Sequence, residues 1–428
     1  MFTPLLLTCL LLGAPEGGAP ATQPADGAQV DALIADLASP EWGTRRKAMQ
    51  ALRAMGSDAR AALTQALQSD DAEVRALAEK LLAEISEQDL IEETRVSLKL
   101  DKVSAGEALA ALEKEIGFKF AVEPDNWEEF GQRARVSVDL VDVPLLDAVR
   151  EVIPRCGLSV PEHGQGQLWA WGDVGWPAFP TARNGAMQIE ARTITINHHA
   201  SVNLAHQAEE VHTNATIGFL VMVEPKLKTM GRPTIVLESI VDDAGNEMNI
   251  PGEQDFYHHH GEHGGLLHYV TQPLDLTLEG GPDAIARLAG RVNFNIERDS
   301  DEFVIDDPLT QGGSKRYKQT QLVVGELTQS NDGFRVTVNI NNAGQITSDH
   351  AFLRGLRLEM SDGRHLLPMP EETSEHGWNI EAKLLYHDMP EDGKRDGDDA
   401  TPVRLVWHVP LALEERSFEF EFKDLNLP

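Results

Sequence analysis

The spacing of apolar residues changes rhythm twice along the chain. From Val30 the apolar positions recur every three or four residues, with Val30, Leu33, Ile34 and Leu37 on one side, which predicts helices up to about Glu87. Near Val96 the rhythm shortens. Val96-Ser97-Leu98-Lys99-Leu100 alternates apolar and polar residues, passes into helical spacing, then crosses Gly117 into a second short apolar strand. From Gly164 onward the helical signal fades. Alternating segments separated by Gly, Asn and Asp predict strands over 187–196, 217–223, 234–241, 289–296, 320–327, 334–340, 356–360, 403–409 and 417–422.

Two internal echoes sharpen the first half. Thirty residues separate Leu33 from Leu63, Leu37 from Leu67, Ser39 from Ser69, Arg45 from Arg75, Ala48 from Ala78, Leu52 from Leu82 and Met55 from Ile85. The pattern resembles short HEAT-like helical repeats over 27–90, with Ser39-Pro40-Glu41 and Ser69-Asp70-Asp71 opening the second helix of each copy. Two copies fall below the number such repeats need to bury a continuous face, so the exposed end is expected to lean on a neighbour. Forty residues separate Val96 from Val136, Val103 from Val143, Ala108 from Ala148, Leu112 from Val152, Gly117 from Gly157 and Phe120 from Val160. Each copy reads as a β-α-β unit. Ser104-Ala105-Gly106-Glu107 forms a capping-box pattern before the first helix, and Pro144 suits the start of the second.

This duplicated segment, over 94–165, resembles the short N-terminal domain of secretins and TonB-dependent receptors. The resemblance implies a βαββαβ module that makes protein contacts in the periplasm. In those families a channel or barrel follows; here the next segments predict β-sandwiches, so only the character of a contact domain carries over. The alternating segments suit two tandem sandwiches, over 166–300 and 301–428, meeting near Asp301. Phe219-Leu220-Val221-Met222-Val223 leads to a turn at Asp242-Asp243, much as Phe334-Arg335-Val336-Thr337-Val338 leads to Asp362-Gly363. The expected class is multidomain α+β.

Composition narrows compartment and partner. With 37 Lys and Arg against 69 Asp and Glu, the net charge is −32, a surface that repels phosphate backbones and anionic lipid. Nucleic acid is therefore not an expected partner. The run from Phe2 to Ala14 is apolar but too short for a mature transmembrane helix, and small residues follow it. It reads as a signal peptide over 1–21, favouring cleavage near Ala14 to Ala21 over lipoprotein anchoring at Cys9, since Thr8 fits a lipidation site poorly. The expected location is periplasmic or extracellular, with no integral membrane segment after cleavage. Loss of Cys9 leaves Cys156 alone, so no intrachain disulfide is expected.

Chemistry-bearing residues gather in four places. Tyr257-His258-His259-His260-Gly261-Glu262-His263, with His268 beyond, offers imidazoles to zinc or copper; His258, His260 and His263 are the candidate ligands. The spacing matches no metalloenzyme signature, and a histidine-rich polar loop is the competing explanation. His198, His199, His206 and His212 flank Glu209-Glu210, which strand edges also explain. Residues Asp392 to Asp399 fall short of a calcium loop, lacking its alternating ligands and closing Glu. Trp169, Trp171 and Trp176 could form a sugar platform or fill a seam between domains. No nucleophile elbow, phosphate loop or dinucleotide fingerprint occurs. The expectation is a non-catalytic, exported protein-protein interaction or scaffold protein of a bacterial cell envelope, without a cofactor. A metal-binding protein or metallohydrolase using His258 to His268 is the alternative, and a carbohydrate-binding protein the second.

Overall fold

The computed structural model describes residues 27–120, 122–123, 127, 135–160, 168–170, 177–203, 208–250, 266–274, 284–330, 332–342, 353, 355–377, 379–387 and 400–427. Within these, only the backbone is described at 123, 169, 198–203, 208–214, 232 and 375. The chain divides into two compact units, Met1–Leu90 and Ile91–Pro428. It mixes helices with several antiparallel sheets.

The first unit contains α1 (Gly27–Asp36), α2 (Trp42–Met55), α3 (Arg60–Ala66) and α4 (Ala72–Ile91), the last crossing the division by one residue. Leu37, Leu52, Leu63, Leu81 and Ile85 are fully buried between the helices. The thirty-residue echo returns here as matched hydrogen bonds. The Arg45 guanidinium donates to the Ser39 carbonyl at 2.7 Å, and Arg75 to that of Ser69 at 2.6 Å. The Ser39 hydroxyl accepts from the Glu41 N–H and Ser69 from Asp71, both at 3.2 Å. Each turn thus fixes the start of the following helix from within its own copy.

The second unit opens with β1 (Arg95–Ser104), α5 (Ala105–Ile116), β2 (Val122–Glu123), β3 (Arg135–Pro144), α6 (Leu145–Arg155) and β4 (Leu168–Trp169). β1 pairs with β3 in antiparallel fashion, and β2 with β4 in parallel. The forty-residue echo is carried into backbone geometry. Lys102 and Asp142 both adopt φ 52°, and each bulge is held by the other strand: the Lys102 N–H donates to Ser137 Oγ at 2.9 Å, and Asp142 N–H to Ser97 Oγ at 3.0 Å. Ser104 and Glu107 form the reciprocal capping box, and Gly117 ends α5 in the left-handed region. Pro144 stands at the N-cap of α6.

The remaining strands are β5 (Thr181–Asn184), β6 (Met187–Asn203), β7 (Ala208–Val223), β8 (Thr229–Asp242), β9 (Leu267–Leu274), β10 (Ala284–Asp306), β11 (Gly313–Tyr317), β12 (Thr320–Val324), β13 (Thr328–Ser330), β14 (Gly333–Asn341), β15 (Leu356–Met360), β16 (His365–Leu366), β17 (Pro368–His376), β18 (Asn379–His387) and β19 (Pro402–Asn426). β10 and β19 pair along nearly their whole length, from Ala284 opposite Asn426 to Asp306 opposite Arg404. One end of this ribbon, with β8, packs against the β5-β6-β7-β9 sheet, where Phe219 meets Phe420 and Phe422 and Phe294 meets Phe418. The other end, with β15 and β16, packs on the sheet of β11, β12, β14, β18 and β17, burying Phe303, Leu358 and Trp407 against Val338, Leu384 and Tyr386.

Asp301, where the sequence suggests a junction, therefore lies inside a strand. The segments expected over 403–409 and 417–422 belong to one strand of 25 residues. The physical reason is a slip in register between Glu297 and Ser300. Below it Val292, Phe294 and Ile296 are buried; above it Phe303 and Ile305 are. The buried parity changes from even to odd across it, and in β19 likewise from Phe418, Phe420 and Phe422 to Leu405, Trp407 and Val409; an alternation that changes phase reads as two strands.

Candidate functional site

The densest chemistry among the described side chains is a buried charge network between the βαβ segment and the β5-β6-β7-β9 sheet. Gln188 and Glu190 on β6 point away from the apolar face formed by Met187, Ile189 and Ala191, and α6 covers them. Glu190 is fully buried. One carboxylate oxygen faces Arg150 Nε at 3.0 Å and accepts from Gln188 at 3.4 Å; the other accepts from Arg192 Nε at 2.9 Å. The Arg192 guanidinium also lies over the Phe179 ring, 4.5 Å from its centre. Burial holds the Arg192 pKa below its ordinary value, an effect that Glu190 opposes.

A second tier surrounds this triad. Arg183 donates to both carboxylate oxygens of Asp147 on α6 and to Gln188 Oε1 at 2.8 Å. The hydrogen bonds to Asp147 raise the Arg183 pKa. Buried Glu224 accepts from the Thr94 N–H at 2.8 Å and faces Lys226 at 3.2 Å. The Ala186 N–H donates to the Ile91 carbonyl at 2.8 Å, and a Cβ on Gly185 would sit 2.0 Å from that oxygen, so the approach needs glycine. Apolar packing continues the join: Leu220, Met222, Leu266 and Leu267 share one core with α5, α6, β1 and β3. The Glu190 carboxylate has donors on both oxygens, from α6 on one and from β6 on both, which makes it a clamp between the two elements.

The opposite side of the βαβ segment is open. Along β1 and β3 the residues Arg95, Ser97, Lys99, Arg135, Ser137 and Asp139 are exposed, with Lys99 Nζ 2.8 Å from Asp139. Val141 is 73% exposed. Among the described residues no strand pairs with the outer edge of either β1 or β3.

His258, His260 and His263 lie outside the described residues, as do His206, Trp171, Trp176 and the 392–399 loop. His268 lies on β9, buried, with its ring 6.1 Å from that of Phe294. The β6–β7 register sets His199 opposite His212 and Ser201 opposite Glu210. Trp169 pairs with Glu123 through the backbone. Cys156 is buried, its Sγ 3.5 Å from the Ala105 carbonyl oxygen, and burial pushes its thiol up to about 12. Among the described side chains no group of three or more His, Cys, Asp or Glu residues could hold a metal ion. Among the described residues no helix is long and apolar enough to cross a membrane.

Sequence reasoning misses Arg150, Glu190 and Arg192. Charged residues alternating with Ile189 and Ala191 read as the wet face of a half-buried strand, and nothing local signals that a helix will cover that face. No protein-family pattern, curated protein or solved structure matches the chain.

Proposed function

We propose that the protein is a non-catalytic interaction or scaffold protein, exported to a bacterial cell envelope, whose βαβ segment accepts a protein partner. In this reading residues 1–21 are a signal peptide, 27–90 HEAT-like repeats, 94–165 a module akin to the secretin and TonB-receptor short domain, and 166–428 sandwiches that carry and orient it. The observation that supports it is the asymmetry of the segment. One side is clamped by the Glu190 network and an apolar seam, while the β1–β3 ribbon opposite has exposed Val141 and no strand neighbour along its outer edges among the described residues. Such an edge accepts an added strand, and an exposed apolar side chain beside it supplies an anchor.

The test uses the full chain as bait in envelope extract, beside V141D. Wild type is expected to retain a defined partner that V141D captures at least tenfold less well, because a buried apolar anchor becomes a charge. Equal capture by both, or none above the control, would remove this reading.

A further inference from the structure

The β10–β19 ribbon runs through both sheet stacks, so the stretch where its register slips, Glu297 to Ser300, sets the angle between them. Glu297 stands opposite Leu413, whereas His408 stands opposite Glu302, five residues further along. In a straight ribbon five residues span about 16 Å. Yet His408 Nε2 and the Glu297 carboxylate are 2.6 Å apart. The ribbon must bend sharply at the slip, and this contact closes the bend. Both stacks brace it. The Glu297 N–H donates to the Lys228 carbonyl at 3.1 Å, just before β8. On the other side a Cβ on Gly355 would sit 2.5 Å from the His408 carbonyl oxygen, which brings the start of β15 against the histidine backbone.

The Glu297 side chain is 4% exposed and that of His408 34%. An imidazole is the side chain that changes charge between about pH 5 and 8, and His408 retains access to solvent protons. We propose that the Glu297–His408 contact is a pH-sensitive latch on the angle between the two sheet stacks. With a charged imidazole it is a part-buried ion pair; with a neutral one it is a single hydrogen bond from imidazole to carboxylate. The neighbouring charges have partners of their own. Glu302 meets Arg357 of β15 at 3.1 Å, Arg298 meets Glu414 at 2.6 Å, and Asp301 meets Lys315 of β11 at 2.6 Å. Asp299, opposite Ala412, and Lys228 complete the charged surroundings. The ionic attraction exists only while the imidazole carries its second proton.

The test places spin labels on the full chain at T234C and E381C, exposed positions on β8 and β18, in a C9S background. Buried Cys156, with its raised thiol, should escape labelling. Distances are read at about pH 5.5 and about pH 8.5, either side of the imidazole range. Wild type is expected to give a narrow distribution at the lower pH and a broader one at the higher. H408Q, which keeps a donor but cannot gain charge, is expected to be broad at both, as is E297Q. An unchanged wild-type distribution, or a pH response that survives in H408Q, would overturn the latch.

Discussion

Tyr386 carries a hydroxyl that the core of its stack does not use. It is fully buried, its oxygen has no hydrogen-bond partner among the described residues, and burial pushes the phenol well above the usual tyrosine range. An unpaired buried hydroxyl costs about 1–3 kcal/mol, so Y386F is expected to leave stability unchanged or raise it by about 1 kcal/mol. Urea unfolding checks this, and a clear loss would mean that the oxygen is satisfied. Glu190 is the opposite case. Removing it leaves the covered Arg192 and the half-buried Arg150 without their carboxylate, and E190A is expected to cost about 3 kcal/mol in the same assay. Replacing Arg150, Glu190 and Arg192 together by Met, Leu and Met should recover much of that loss, since the larger part of it is unpaired charge and not lost attraction.

Among the elements, β17 is held at its sheet edge by a residue two strands away. Arg335 on β14 reaches across β18 to Glu371, at 2.8 Å, and also holds Asp332 at 2.8 Å. Its hydrogen bonds draw both carboxylates below their usual range. A depressed carboxylate pKa means that the folded state prefers the anion. Its stabilising effect is therefore present above the unfolded value of about 4 and is lost as pH falls through the folded value. R335Q should be less stable than wild type at neutral pH, with the gap closing below about pH 4; a gap independent of pH would contradict the assignment. The elements also show where sequence patterns were legible. Local signals translated well: the Ser104–Glu107 cap, the glycine after α5, and both echoes are settled within a few residues of themselves or by cross-strand repetition. Non-local burial did not. The charged face of β6 is hidden by a helix some forty residues earlier, and the phase change in β19 makes one long strand read as two.

For the whole second unit, the β10–β19 ribbon gives a continuous path through both stacks, about 70–80 Å of strand at about 3.3 Å per residue. A shared ribbon and a clamped βαβ segment together suit presentation of a surface in a fixed orientation. The net charge of −32 limits nonspecific attraction to other acidic surfaces, which leaves shape and backbone pairing to select a partner. The most direct measurement is photo-crosslinking in envelope extract, with the crosslinking residue at Val141 of the full chain and, as a control, at Thr234 on β8. A discrete protein adduct at 141 that is missing at 234 is the predicted result. No adduct at 141, or the same adducts from both positions, would contradict a partner seated on the β1–β3 ribbon.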